Sequence, residues 1–418
     1  MSRLTSILAL ILAALPLPAV AAEFYCLPGG AGTGTGSSWG NASSNLMSTL
    51  TNAASGDVVY FSGSWTGAVT VSSVPSGASA RYYVPAGVTL QGATNARLTT
   101  AAIGATRILV LETNAAVRNA AIHGGLGPSV NGGNVFSMSD GCLVYDCDVY
   151  GSPNASGVYR GTVVDSRLYG NAGGGAILAT LSGSEIYTNS AASGGGVSSC
   201  VASNCLIRNN TAGNLGGGAL ESVLIGCTVV SNVAAATGGG TYLGTNFYCT
   251  IAYNVAATGG GGTIFSISHS SIVAANAVSG AYTGGGVRDG AAWNCTIVSN
   301  STAAATGGGM YNATASNSIV LYNTAAAAAN YAQSNFYNGT IPSGIYTNPI
   351  AFGEGFRLPA GSPAIDAGNN TASLSPLDAL GQGRVNGATV DYGAVEWYAD
   401  PVPASTARRH LFFNIFGR

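Results

Sequence analysis

From about residue 147 to residue 323 the chain repeats one short polarity pattern: a small residue, an apolar residue two positions on, an asparagine, and later a run of glycines. The apolar-to-asparagine phrase reads Ile186-Tyr-Thr-Asn189, Ile207-Arg-Asn-Asn210, Val229-Val-Ser-Asn232, Ile251-Ala-Tyr-Asn254 and Ile297-Val-Ser-Asn300. Two further copies, ending at Asn276 and Asn323, carry one extra residue, as a β-bulge would. Glycine triplets begin at Gly173, Gly194, Gly216, Gly238, Gly259, Gly284 and Gly307, in steps of roughly 21 to 25 residues. Alternation over so few residues predicts short strands, and a repeat of this length predicts a solenoid. One unit cannot bury its own apolar face, but stacked units can. The expected fold is all-β, a right-handed parallel β-helix.

The small residue of each phrase forms a column: Cys147, Ser166, Ser184, Cys205, Cys227, Cys249, Ser270 and Cys295. Positions two apart lie on one side of a strand, so this column and the Ile/Val column should both face the interior. Asn189, Asn210, Asn232, Asn254 and Asn300 should close each strand at a corner, in the left-handed conformation that asparagine tolerates, and bond one another along the axis. The glycines then turn the chain. Cys205, Cys227 and Cys249 stand one turn apart, within disulfide reach. Cys142 with Cys147, and Cys200 with Cys205, are the other candidate pairs. Cysteine is also a small buried hydrophobe, and its alternation with serine favours a reduced ladder that includes Cys295.

The flanks read differently. Residues 1–22 resemble an export signal, with Arg3, an apolar run from Ile7 to Leu15, breaks at Pro16 and Pro18, and small residues Ala19-Val20-Ala21. That run is too short to span a bilayer, and no later segment qualifies. The chain is therefore expected to be secreted or on a cell surface. Residues 23–56 are expected to form an N-terminal cap with a short helix at Leu46–Leu50. The β-helix should occupy 57–340, a small C-terminal module 341–398 and a tail 399–418. A cap at the start opposes open-ended stacking of copies.

Charged residues make up 7% of the chain, against about 25% in ordinary domains. All fourteen basic residues are arginine. The surface must then be Ser, Thr, Asn, Gly and Ala. A net charge of −2 with no basic cluster excludes nucleic acid as a partner, because phosphates need neutralising cations. The residues after the glycines (Ala176, Val197, Ala219, Thr241, Thr263, Val287, Met310) are never Asp, which excludes a calcium-binding β-roll.

Three segments carry a family resemblance. Phe24-Tyr25 followed by the glycine-rich stretch to Ser38-Trp39-Gly40-Asn41-Ala42, and then Ala53-Ala54-Ser55-Gly56-Asp57-Val58-Val59, resemble the opening of exported bacterial right-handed β-helix proteins. Ser362-Pro-Ala-Ile-Asp-Ala-Gly368 and Asp391-Tyr-Gly-Ala-Val-Glu396 resemble the module called choice-of-anchor Q. Gly174-Gly175-Ala176-Ile177 is similar to polymorphic outer-membrane protein repeats. The resemblance implies a pectate-lyase-like solenoid displayed at or beyond the cell surface. Related proteins carry a C-terminal sorting signal, whereas here only a short tail follows Trp397.

Candidate chemistry concentrates on early turns. Asp148, Arg167 and Glu185 should share one outward column, Asp146 and Asp165 a second, and Tyr150, Tyr169 and Tyr187 a third, continued by Arg208. Neighbouring parallel strands lie about 4.8 Å apart, so these side chains can touch. One reading is a glycan site with the tyrosines supporting sugar rings, the partner being a polysaccharide or cell-surface glycan. A second is a polysaccharide lyase, with Asp146, Asp148 and Asp165 holding Ca²⁺ and Arg167 or Arg160 as base, or a glycoside hydrolase with paired Asp. A third is a plain ladder of surface ion pairs. No cofactor is implied unless the lyase reading holds. His123, His269 and His410 lack metal-ligand spacing. Asp366, Asp378, Asp391 and Glu396 read as turn caps in the terminal module, with ion binding as the alternative. The leading expectation is an exported, non-enzymatic, glycan-binding or adhesive β-helix protein, with a purely structural surface protein as a further alternative.

Overall fold

The computed structural model describes residues 21–67, 80–100, 106–127, 131–304, 306–326, 345–370 and 375–399. Most of the expected export signal, His410 and the tail from 400 onward lie outside them. The described chain winds as a parallel β-helix with 22-, 13- and seven-stranded sheets. One turn illustrates the path. Val201–Ser203 belongs to the first sheet, Leu206–Arg208 to the second and Thr211–Ala212 to the third, and Ala219–Leu220 re-enters the first. Each strand pairs in parallel with its equivalent one turn on, as Leu206 does with Thr228 and Thr228 with Thr250. The third sheet is absent from the sequence reading. The glycines therefore do not follow the asparagine corner directly but open the next strand of the first sheet.

The register corrects two expectations. Val273 pairs with Ile251 and Val320 with Ile297, so the phrases ending at Asn276 and Asn323 have the ordinary spacing and no bulge. The inward small residue there is Ser271, not Ser270. Ser270 instead sits at the corner with φ 44°. The asparagines do not take the left-handed conformation either. The residue before each one does: Thr188, Asn209, Ser231, Tyr253 and Ser299, with φ between 51° and 56°. This frees the asparagine to turn inward.

Once inside, each asparagine satisfies all its bonding capacity. Asn232 Nδ2 donates to Asn254 Oδ1 at 3.0 Å and to the Ile207 carbonyl at 3.0 Å. Its Oδ1 accepts from the Asn210 backbone N–H at 2.9 Å and from Asn210 Nδ2 at 3.0 Å. The same pattern joins Asn189, Asn210, Asn232, Asn254, Asn276, Asn300 and Asn323. The last glycine of a run, such as Gly218 or Gly262, makes room for this ladder. A Cβ on Gly218 would lie 2.7 Å from the Gly240 carbonyl oxygen and 3.0 Å from Asn232 Nδ2.

The Cys/Ser column has an equally local cause. Cys205 Sγ donates to the Ser203 carbonyl at 3.3 Å and Cys295 Sγ to the Trp293 carbonyl at 3.3 Å. Ser166 and Ser271 make the same bond with Oγ, to Val164 at 2.7 Å and to His269 at 2.8 Å. Either residue supplies a short donor that reaches back across the corner. All eight cysteines are free and buried, so neither the turn-to-turn pairs nor the five-residue pairs form disulfides. Burial raises the Cys147, Cys200 and Cys295 thiols to about 12.

The two ends are closed in different ways. Glu23–Cys26, expected in the cap, is itself the first strand and pairs with Val58–Phe61. The helix Leu46–Asn52 starts with Asn45 Oδ1 accepting from Ser48 N at 3.0 Å, and it packs Leu46 and Leu50 against Cys26, Val59 and Phe61. At the other end the terminal module lies on the outer face of the second sheet. Ile350, Leu358, Leu380 and Val395 pack on Ile272, Val298, Ile319 and Leu321. The outward column of that sheet accordingly changes character, from Asp148, Arg167 and Glu185 to Ile272, Thr296 and Ile319.

The module's acids mostly cap backbone. Asp378 Oδ1 accepts from Leu380 N and Gln382 N, Asp391 Oδ2 from Trp397 N, and Asp366 Oδ1 from Thr389 N. Glu396 is buried 3.4 Å from Arg384 Nε. Burial raises its carboxyl to about 8, against the opposing pull of Arg384.

Candidate functional site

The corner between the first and second sheets places one residue per turn in the left-handed conformation: Asn95 (φ 55°), Asn119 (51°), Asp146 (49°) and Asp165 (48°). Asn and Asp enter this region more readily than other side chains. Their backbone stays in the ladder, with Asp146 N donating to Val164 O at 3.1 Å and Asp165 N to Ser182 O at 3.0 Å, while both carboxylates face solvent. Asp165 leans over Gly183, where a Cβ would come within 2.4 Å of its Oδ1.

Two positions beyond this corner runs the outward column Arg97, Ala121, Asp148, Arg167 and Glu185. The register is the one expected. Arg167 grips Asp148 with two bonds, Nε to Oδ1 at 2.6 Å and Nη2 to Oδ2 at 2.5 Å. Glu185 does not extend this ladder. It accepts from Arg208 Nε in the neighbouring column at 2.6 Å. Both pairs are partly exposed, and pairs of this kind contribute about 0–1 kcal/mol.

Where Ala121 replaces a long side chain between Arg97 and Asp148, the surface sinks. The resulting cleft encloses about 420 Å³, floored by Ala93, Ala96, Ala120 and Ala121 and rimmed by Asn95, Asn119, Asp146, Asp148, Asp165 and Arg167. Three carboxylates line the hollow with the Arg167 guanidinium while Arg97 flanks it beyond Ala121, so one negative charge stays uncompensated. Asp146 and Asp165 make no ion pair among the described residues. Sequence reasoning found the four charged residues and missed the two asparagines, although Asn95-Ala-Arg-Leu and Asn119-Ala-Ala-Ile match Asp146-Cys-Asp-Val and Asp165-Ser-Arg-Leu position for position.

No family model matches the chain, and no curated protein matches it in sequence. Among solved structures it is similar to the pectate lyase Pel9A, at 14% identity over 91% of this chain and 97% of that one, with a TM-score of 0.41. It is also similar to the Dettilon tailspike protein (8%, 78% and 60%, TM-score 0.37) and to the PL6-family alginate lyase AlyGC (11%, 80% and 54%, TM-score 0.37).

The chemistry of the cleft follows from its own residues. A general base must release its proton near working pH. The carboxylate of Asp148 instead raises the Arg167 pKa by hydrogen bond and charge. Arg160 is raised in the same way by Asp140, at 2.8 Å. With Asp148 held by Arg167, Asp146, Asp148 and Asp165 do not form a cation cradle. No three acidic, histidine or cysteine side chains among the described residues come close enough to hold a metal.

Beside the cleft, Tyr150, Tyr169 and Tyr187 stack with ring centroids 4.7 and 4.9 Å apart. His123 covers the free face of Tyr150 at 4.8 Å, and the Arg208 guanidinium covers Tyr187 at 4.4 Å. The ring faces are thus consumed within the protein, and the tyrosines cannot act as platforms for sugar rings. They present edges and hydroxyls. Burial raises Tyr169 to about 12, so its hydroxyl stays a donor at ordinary pH. Burial, with Arg97 nearby, lowers the His123 pKa.

Proposed function

We propose that this chain is an exported, non-enzymatic β-helix protein that binds glycans at the cleft between Asn95 and Arg167. The carrying observation is the cleft itself: a polar hollow of about 420 Å³ whose rim offers amides, two uncommitted carboxylates and a fixed guanidinium. Such groups suit the hydroxyls of a sugar, and the tyrosine hydroxyls continue the row along the second sheet. The export-type N-terminus and the likeness of residues 362–396 to choice-of-anchor Q support a place at or outside the cell surface. The uncompensated negative charge favours neutral glycans over uronate polymers unless a divalent cation bridges them.

One observation favours a hydrolase as the second reading. Asp146 and Asp165 stand one turn apart, and a strand spacing of about 4.8 Å approaches the roughly 5–5.5 Å between the carboxyls of retaining glycosidases.

The deciding experiment incubates the protein with neutral and uronate polysaccharides, with and without Ca²⁺, and follows both retention and new reducing or unsaturated ends. Retention of neutral glycans without products is expected, weakened at least tenfold in D146N/D165N. Product formation that disappears in D165N would replace binding by hydrolysis. Neither retention nor product would leave a structural role.

A further inference from the structure

Midway along the first sheet every turn kinks at a residue with left-handed backbone: Leu178 (φ 55°), Ser199 (52°), Glu221 (49°), Leu243 (52°), Phe265 (49°), Asp289 (49°) and Asn312 (46°). Asparagine enters this conformation readily, while branched and aromatic side chains are disfavoured there. Leu178, Leu243 and Phe265 nevertheless occupy it, and each is 48% exposed. They are disfavoured twice in an isolated molecule, by backbone and by solvent.

The columns beside them continue the pattern. Val201, Val223 and Ile267 stand in one register column, interrupted by Thr245, and all three are exposed. The next column holds exposed Ile225, then Phe247, which stacks on His269 at 4.9 Å, which in turn meets Trp293 at 4.7 Å. Charge is sparse across these turns. Arg160 pairs with Asp140 at 2.8 Å at the first of these turns, Arg288 pairs with Asp289 at 3.0 Å near the last, and Glu221 between them has no ion-pair partner among the described residues. Among the described residues the terminal module packs on the second sheet and not on this face. An apolar patch of this extent on a folded chain marks an interaction surface.

We propose that this face binds a second copy of the chain, face to face, in a two-fold dimer. Three features select that partner. A face whose few charges are, except for Glu221, already paired within the chain meets its own copy with little like-charge opposition. Its side-chain rows repeat every ~4.8 Å along the axis, a period that another copy matches row for row. Its size also suits a dimer. From Arg160 to Asn312 it spans about 34 Å along the axis and about 17 Å across, a flat footprint of roughly 600 Å². Side-chain corrugation raises this toward the ~800 Å² that each partner buries in a standard interface. The glycan cleft lies around the corner toward the second sheet, on the turns from Asn95 to Arg167 that mostly precede this face, so a dimer would carry two clefts.

The test is sedimentation velocity on the full chain from about 1 to about 100 μM, spanning the dissociation constants of ordinary dimers. A concentration-dependent dimer is expected, with V223S/F265S at least tenfold weaker and unchanged in circular dichroism. A monomer throughout would overturn the proposal. In that case, binding of an apolar dye would indicate a face awaiting a different protein, and no dye binding would indicate cover by another segment of this chain. A dimer undisturbed in V223S/F265S would place the interface elsewhere and equally overturn it. None of these outcomes depends on glycan binding.

Discussion

At the scale of single residues, the solenoid rests on side chains with no spare hydrogen-bonding capacity. Asn232 is fully buried and makes four bonds. Asn232→Ala removes all four and strands partners on both neighbouring turns. Each stranded buried group costs about 1–3 kcal/mol. The variant should therefore lose on the order of 3 kcal/mol or more in denaturant unfolding. An equal loss is not expected for Asn204→Ala, since Asn204 sits at an outer corner with its side chain in solvent. The asparagine ladder was legible in the sequence because its spacing stays within 21 to 24 residues. Its conformation was not, because propensity favours Asn in the left-handed region, while here the inward bonds draw it out of that region. The Ser270/Ser271 ambiguity has a similar source. His269-Ser-Ser-Ile-Val offers two small and two apolar neighbours, and only pairing with Thr250–Ala252 decides between them.

At the scale of elements, the unit is the turn. Deleting residues 219–240 joins Gly218 to Thr241, which replaces Ala219 by its in-register equivalent. That deletion should leave a folded chain one turn shorter, with undiminished strand signal by circular dichroism. Deleting 219–229 breaks every column and should abolish cooperative melting.

The terminal module is a second element with its own behaviour. Burial raises Glu396 from 4.5 to about 8, and it raises Asp378 and Asp391 as well. Between about pH 4.5 and 8 the folded chain holds a proton on Glu396 that the unfolded chain has released. Stability must therefore fall as pH rises through that window, by an amount on the order of a few kcal/mol. Melting followed from pH 5 to 9 should show this decline, and Glu396→Gln should flatten it. That the repeats stop before this segment was legible in the sequence, but its seat was not. Ile272, Ile319 and Leu321 read as ordinary strand residues until Val395 and Leu380 are seen to cover them.

At the scale of the whole molecule, a nearly uncharged coil places its different properties on separate faces. The second sheet carries the polar cleft and the tyrosine row upstream and the terminal module downstream. The first sheet carries the apolar stripe. The charged members of the cleft could be read from their columns. The hollow could not, because it arises from what Ala121 lacks and from asparagines whose own turns precede the regular repeats.

The sealed thiol column has a further consequence, for the order of events during folding. Eight thiols lie free within the finished coil, while the unfolded chain exposes all of them to any oxidant present. Winding and oxidation therefore compete: a sulfur bridged too early can no longer take its place behind a corner carbonyl. Refolding from denaturant should give high yield with reductant and fall severalfold in an oxidising buffer. Chains that complete the coil first should then resist the same buffer, with eight thiols still countable by mass after denaturing alkylation.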